Sequence, residues 1–204
     1  MDCRWCDCLM LPSLIGVIAS SATPASTNSY ESISTVTVGS GGASTVTFSS
    51  IPSTYQHLQF RIYARSTIAG TSSDNIAFRI NGDTGSNYST HNLYGTGLGA
   101  YAAAFAGLSY AYLPSTIASS GNLANTFAGV VVDVLDYANT NKNTTIRALG
   151  GYDENANSGP SVYDNRIQLS SAFWNNTAAV NSLVFQTSGN FAQYTTFALY
   201  GIKG

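Results

Sequence analysis

The chain has 204 residues, a formal net charge of −2 and only 9% charged residues. This length suits a single domain, and a near-neutral chain without any basic run excludes the electrostatic attraction on which nucleic-acid binding depends. The 13 tyrosines outnumber the 8 lysines and arginines together, a composition that favours strands and contacts with proteins or sugars over helices.

Three cysteines, Cys3, Cys6 and Cys8, lie at the start of the chain. A zinc or iron–sulfur site would need a further Cys or His pair at ligand spacing, and none follows. We therefore predict free thiols, no metal site, no cofactor, and a body that is held together by its core without disulfides.

Residues 1–29 are predicted to form an N-terminal arm, separate from a domain of residues 30–204. The apolar run of this segment is too short to span a bilayer, and Pro12 departs from the pattern of a signal peptide. A signal peptide and an idle tail are the alternatives. The side chains expected to dock on a partner or a neighbouring subunit are Leu11, Leu14, Ile15, Val17 and Ile18.

From Tyr30 onward, short strand patterns alternate with turns rich in Gly, Asn and Ser. Residues 39–42, GSGG, predict the turn of a hairpin, and Asn81-Gly82-Asp83 predicts a tight turn. Residues 55–65, YQHLQFRIYAR, have the period of a half-buried strand. Its inward side chains are expected to be Leu58, Phe60, Ile62 and Ala64.

Residues 98–114 are ambiguous, because their alanines permit a short helix while their glycines and tyrosines favour strand and loop. Residues 113–125 are expected to form an exposed loop. Residues 127–137 are expected to form a central strand that is buried on both faces. Further strand patterns continue to the C-terminus. Roughly ten strands at short, regular spacing predict an all-β fold, an antiparallel β-sandwich resembling a jelly roll.

The polar face of the strand at residues 55–65 is the best candidate for a contact surface. It consists of Tyr55, His57, Gln59, Arg61, Tyr63 and Arg65. Protein interfaces favour Tyr and Arg, whereas an ordinary solvent-facing sheet carries more Lys, Glu and Thr. Because weakly charged surfaces repel one another little, we expect this face to contact another protein or another copy.

No catalytic site is predicted. His57 and His91 have no nucleophile motif near them, and Asp133 is expected to pair with Arg79 or Arg147. One set of oxygen ligands suits calcium but lacks the spacing of a calcium-binding loop. It consists of Asp136, Asn139, Asn141 and Asn143. A turn capped by its own asparagines is the preferred interpretation.

Residues 152–160 are predicted to form a loop with the chemistry of a sugar site. Carboxylates and amides hydrogen-bond to hydroxyls, and aromatic rings cover the face of a sugar. The candidate residues are Tyr152, Asp153, Glu154, Asn155 and Tyr163. An ordinary solvated loop is the alternative.

Several stretches also carry a family resemblance. They are IPSTYQHLQFRIYARS, FRINGDTGSNYS with LYGTG, VVDVLDYANTNKN, TIRALGG and FWNNTAAVNSLVFQTSGNFAQYTTFALYGIKG. Over residues 29–204 the chain resembles a recurrent group of tailed-bacteriophage virion proteins, many of them from marine and cyanobacterial phages. MLPSLIGVIASS, from Met10, is similar to the usual start of that group, and residues 1–9 depart from it.

The resemblance implies a non-enzymatic structural protein of the virion, with other virion proteins as partners. The first hypothesis is a capsid decoration or cement protein that docks through its arm and self-associates through its sandwich, a trimer being one arrangement. The alternative is a tail-fibre or host-adsorption domain that binds host surface glycan through the loop from Tyr152 to Tyr163. A glycan-active enzyme is disfavoured because the sequence offers no carboxylate pair.

Overall fold

The computed structural model describes residues 29–153 and 165–204, and within these ranges the chain forms twelve strands. In chain order the strands are β1 Tyr30–Thr37, β2 Ala43–Phe48, β3 His57–Ala64, β4 Ser73–Ile80, β5 Tyr88–Thr96, β6 Gly99–Leu108, β7 Ala111–Ala118, β8 Ala128–Leu135, β9 Thr144–Tyr152, β10 Arg166–Trp174, β11 Leu183–Phe191 and β12 Thr196–Ile202. The predicted arm and the three cysteines lie outside the described residues.

The strands form two antiparallel sheets that pack face to face as a sandwich. One sheet has the order β1-β12-β3-β8-β9-β10-β5-β6, and the other has the order β2-β11-β4-β7. Without β5, β6, β9 and β10, each sheet has four strands, and the remaining order is that of a jelly roll. The predicted all-β, jelly-roll-like sandwich is therefore confirmed. The four extra strands, called the inserted strands below, extend one sheet on a single side.

The core lies between the two sheets, and Phe185 of β11 is at its centre. The Phe185 ring lies 4.9 Å from the Phe60 ring and 5.1 Å from the Phe197 ring, measured between centroids. Tilted and edge-on ring pairs of this kind add to the stabilisation that buried apolar area provides. The four residues of β3 that were predicted to point inward are all buried: Leu58, Phe60, Ile62 and Ala64.

The two predicted turns are present, but one of them does not close a hairpin. The Asp83 N–H donates to the Ile80 carbonyl at 2.9 Å, and the Gly42 N–H donates to the Gly39 carbonyl at 3.0 Å. However, β1 pairs with β12 and β2 pairs with β11. The hairpin prediction was therefore wrong, because the turn at residues 39–42 carries the chain from one sheet to the other.

Two predictions in the middle of the chain were also wrong. Residues 113–125 do not form an exposed loop throughout, because β7 continues to Ala118 and buries Leu113 and Ile117. The strand accommodates Pro114 since it is an edge strand with an irregularity in its pairing to β4. The central strand β8 is buried on one face only, and Val131 lies on its exposed face.

Candidate functional site

Near the middle of the inserted strands β5 and β10, polar side chains are buried and leucines point outward, whereas Tyr88, Ala172 and Trp174 are buried at the other end of this strand pair. In β10, Gln168 and Ser170 are buried, whereas Ile167 and Leu169 are exposed. An antiparallel sheet with one solvated face normally shows the opposite arrangement. This inversion marks the outer face of the inserted strands as unusual for a surface that water alone covers.

The inward polar side chains hydrogen-bond to one another, although Asn92 Nδ2 and Gln168 Oε1 are buried without a partner among the described residues. The Gln168 amide nitrogen donates to Ser170 Oγ at 2.9 Å and to Thr116 Oγ1 at 3.3 Å, and Ser170 Oγ donates to Asn92 Oδ1 at 2.7 Å. Buried polar groups are tolerated where they hydrogen-bond to each other. The network therefore offsets part of the cost of burying these polar groups, and the two unpaired atoms add to that cost.

On the outer face, apolar side chains form a continuous row across the sheet. The strand register places each member directly opposite the next, in the order Val131, Leu149, Leu169, Leu93 and Ala102. The four larger side chains have exposed fractions between 37% and 56%. We call these five residues the apolar row. Contiguous exposed hydrocarbon of this kind typically marks an interaction surface.

A groove of about 860 Å³ runs along one side of the apolar row. Its floor is backbone, because Gly129, Gly151 and Gly95 occupy the row beside Ile167. At Gly151 a Cβ atom would lie 1.9 Å from the Arg166 carbonyl oxygen, so only glycine fits there. Large side chains of a partner therefore have space beside the apolar row.

The other side of the apolar row is polar. Arg147 Nη2 donates to Asp133 Oδ2 at 2.9 Å, and Gln59 Nε2 donates to Asp133 Oδ1 at 2.9 Å. The predicted pairing of Asp133 with an arginine is confirmed for Arg147. Arg79 instead lies in the smaller sheet, where it donates to Gln186 Oε1 at 2.9 Å.

Four of the residues predicted as a contact surface lie on the outer face of β3: His57, Gln59, Arg61 and Tyr63. Gln59 is opposite Asp133 of the polar border, whereas Arg61 is opposite Val131 at the end of the apolar row. The Arg61 guanidinium lies 5.6 Å from the Tyr30 ring centroid and 5.1 Å from the Tyr200 ring centroid. Tyr63 is exposed, and its ring stacks on Phe127 at 4.9 Å. This part of the predicted surface presents aromatic rings and a guanidinium next to the apolar row.

Tyr55 and Arg65, the first and last residues of the predicted contact surface, form contacts within the fold. Arg65 Nη1 donates to the carbonyls of Leu123 and Thr126 at 2.8 Å each, and these hydrogen bonds hold the loop after β7 against β3. Burial, the largest cause, raises the pKa of the Tyr55 hydroxyl, and its hydrogen bond with Glu31 raises it further. Neither side chain is simply displayed to solvent.

The two histidines are far apart in the sheet. His57 lies on β3 and accepts a hydrogen bond at Nδ1 from the Asp136 N–H at 2.9 Å. His91 is exposed on β5, opposite Ser171 of β10. Because β8, β9 and β10 lie between their strands, the structure does not bring the histidines together.

The turn that follows β8 is held by its own side chains. Lys142 donates to the Asp136 carboxylate, which lowers the pKa of that carboxyl. Asn139 Oδ1 accepts a hydrogen bond from the Asn141 N–H at 2.9 Å, as a self-capped turn requires. Among the described residues, no group of three or more His, Cys, Asp or Glu is placed to hold a metal ion.

The candidate sugar residues are only partly described. Tyr152 is the last residue of β9, has an exposed fraction of 6%, and donates its hydroxyl to the Ser72 carbonyl at 3.2 Å. Its ring is therefore too buried to stack on the face of a sugar. Asp153 is exposed. Glu154, Asn155 and Tyr163 lie outside the described residues.

Comparisons of the chain with protein-family models, curated proteins and solved structures yield no match. No helix within residues 29–153 and 165–204 is long and apolar enough to cross a membrane. The fold and the site together define a β-sandwich of the jelly-roll kind whose inserted strands present hydrocarbon outward.

Proposed function

We propose that the chain is a non-enzymatic structural protein of a bacteriophage particle, a capsid decoration protein that docks on the shell through its N-terminal arm. Its sandwich self-associates, and the outer face of the inserted strands is covered by protein in the assembled particle. Localisation in the virion and partnership with other virion proteins belong to the same proposal.

The observation that carries the proposal is the inverted arrangement around Leu93 and Leu169, in the middle of β5 and β10. Each exposed leucine keeps about half of its apolar surface in water, and removal of that area from water is favourable by about 25 cal/mol per Å². A partner that covers the apolar row would gain this free energy. Because one fold carries many functions, the bacteriophage assignment is supported by the sequence resemblance, and the jelly roll is compatible with it.

Quantification of the chain in purified particles tests the proposal. A decoration protein covers the shell, so we expect its copy number to be comparable with that of the major capsid protein. Only a handful of copies per particle, or none, would reject it. A variant without residues 1–27 should fold normally but fail to attach to particles, and undiminished attachment would reject docking through the arm.

A further inference from the structure

Strand β6 is a long free edge of the larger sheet. It spans ten residues, and within the described part of the chain it pairs with β5 alone. Most of its residues are exposed. An edge strand presents a row of unpaired N–H and C=O groups along its free side, which is a template for another strand.

The other three sheet edges carry features that discourage pairing, and β6 lacks them from Gly99 to Phe105, before the irregularity in its pairing with β5. On β1, Glu31 forms an ion pair with Lys203 at 2.8 Å, and the pairing with β12 is irregular between Ser32 and Ser34. On β7 a proline, Pro114, removes an N–H group. The strand β2 has only six residues. Short edges, charges, bulges and prolines are the ordinary means of blocking edge pairing.

The side chains of β6 permit close approach of a second strand. The sequence GAYAAAFAGL contains no charged residue and no proline. The pairing register with β5 places only alanines on the outer face of this part of β6: Ala100, Ala102 and Ala104. On the inner face are Tyr101, stacked on Tyr94 at 5.3 Å, and Phe105, edge-on to Tyr112 at 5.3 Å.

We propose that two copies of the chain join through β6 in antiparallel, two-fold pairing, which makes the two larger sheets one continuous sheet. A second copy fits because antiparallel pairing of β6 with itself opposes no like charges and brings small residues together. The ladder between β5 and β6 is regular from Gly99 to Phe105, so Ala102 lies near the two-fold axis.

This pairing also makes the apolar row continuous across the two copies. Ala102 is the last member of the row, and Leu93 lies directly behind it on β5. The partner copy would continue the row with its own alanine and leucine. The inference deepens the self-association in the proposed function and rests on that part of it, but it does not depend on where the protein resides.

Charge substitutions at Ala102 test the inference on the purified full-length chain by sedimentation velocity. We expect the wild-type chain to be dimeric. Ala102→Lys and Ala102→Glu should each weaken the dimer about five-fold or more, because like charges then face each other near the axis. A mixture of the two variants should restore dimers, because opposite charges then face each other. Two control variants, Ala102→Ser and Ser34→Lys on the opposite edge of the sheet, should dimerise as strongly as the wild-type chain.

A monomeric wild-type chain, unchanged dimers in both charged variants, or no recovery on mixing would each overturn the inference. Amide hydrogen exchange of the wild-type chain provides a second readout that needs no substitution. The amides of β6 should exchange more slowly at high protein concentration than after dilution, and equal rates would overturn the inference. A confirmed dimer that is absent from particles would reject the proposed function and leave this inference standing.

Discussion

Leu149 of β9 and Leu169 of β10 stand directly opposite each other, and both side chains point away from the core. Cross-strand apolar pairs normally stabilise a sheet by packing on its buried face. Here the pair lies on the outer face, above the inward network of Gln168 and Ser170. The pair is therefore available to a partner and contributes little to the core.

The outward orientation of Leu169 predicts a small effect of truncation. Leu169→Ala should lower the free energy of unfolding of the isolated chain by less than about 1 kcal/mol. Its matched control is Leu58→Ala, which removes a fully buried side chain and should lower it by about 2 to 5 kcal/mol. Urea denaturation measures both. Equal losses would mean that Leu169 faces the core and would contradict the inverted arrangement.

Asp74 predicts a specific loss of stability in acid. Its buried carboxylate accepts hydrogen bonds from Ser66 Oγ at 2.6 Å, Thr187 Oγ1 at 2.6 Å and the Gly189 N–H at 3.1 Å. Burial, the largest single cause, raises its pKa, but the hydrogen bonds together outweigh burial and lower it. The stabilisation is therefore present above the unfolded-state pKa, which is about 3.9, and is lost as the pH falls through the lower folded-state value.

Replacement of the carboxylate should remove that pH dependence. Asp74→Asn should destabilise the chain at pH 7 by about 1 to 3 kcal/mol and should lose less further stability than wild type when the pH falls from about 5 to about 2. Urea midpoints across that range measure the difference. Asp153→Asn, at an exposed position, is the control, and parallel pH profiles of wild type and Asp74→Asn would contradict the assignment.

Arg65 predicts a local effect on the loop after β7. The planar guanidinium of Arg65 donates to the carbonyls of Leu123, Thr126 and Asn122. A lysine ammonium cannot reproduce this arrangement of donors. Arg65→Lys should therefore speed amide exchange and proteolysis in residues 119–127. Arg61→Lys changes an arginine that lies over two tyrosine rings on the outer face and should leave this loop unchanged. Identical loop behaviour in the two variants would refute the role of Arg65.

Gly129 and Gly151 are opposite each other on β8 and β9 and predict contrasting responses to alanine. At Gly151 the new Cβ atom would collide with the Arg166 carbonyl, whereas at Gly129 no atom lies within 4 Å. Gly151→Ala should lower the thermal midpoint by several degrees. Gly129→Ala should leave it unchanged or raise it, since alanine reduces the entropy of the unfolded chain. Calorimetry decides, and similar midpoints would contradict the close approach of β9 and β10.

The sequence predicted the fold class because strands such as β3 alternate cleanly between hydrocarbon and polar residues. In β10 the same period is present, but a period of two does not say which face is buried. That choice depends on Asn92 and Thr116, which lie far from Gln168 in sequence and accept hydrogen bonds from its amide nitrogen only in the folded chain. The sequence analysis therefore did not predict the apolar row, although its leucines stand at alternating positions of the strand patterns.

Local sequence patterns likewise could not predict which distant strands pair with each other. The turn at residues 39–42 was predicted from glycine, but β1 finds its partner in β12, where Thr37 stands opposite Thr196. Residues 113–125 were predicted to form a loop, but part of this segment belongs to β7, and the edge position of β7 makes its Pro114 acceptable. Such facts depend on the whole sheet order, which no single segment specifies.

High-resolution imaging of the intact particle tests the central claim most directly. The account predicts many copies of the sandwich over the shell, with the apolar row of every copy covered by protein. Copies whose apolar row faces open solvent throughout the particle, or copies confined to the tail, would contradict it.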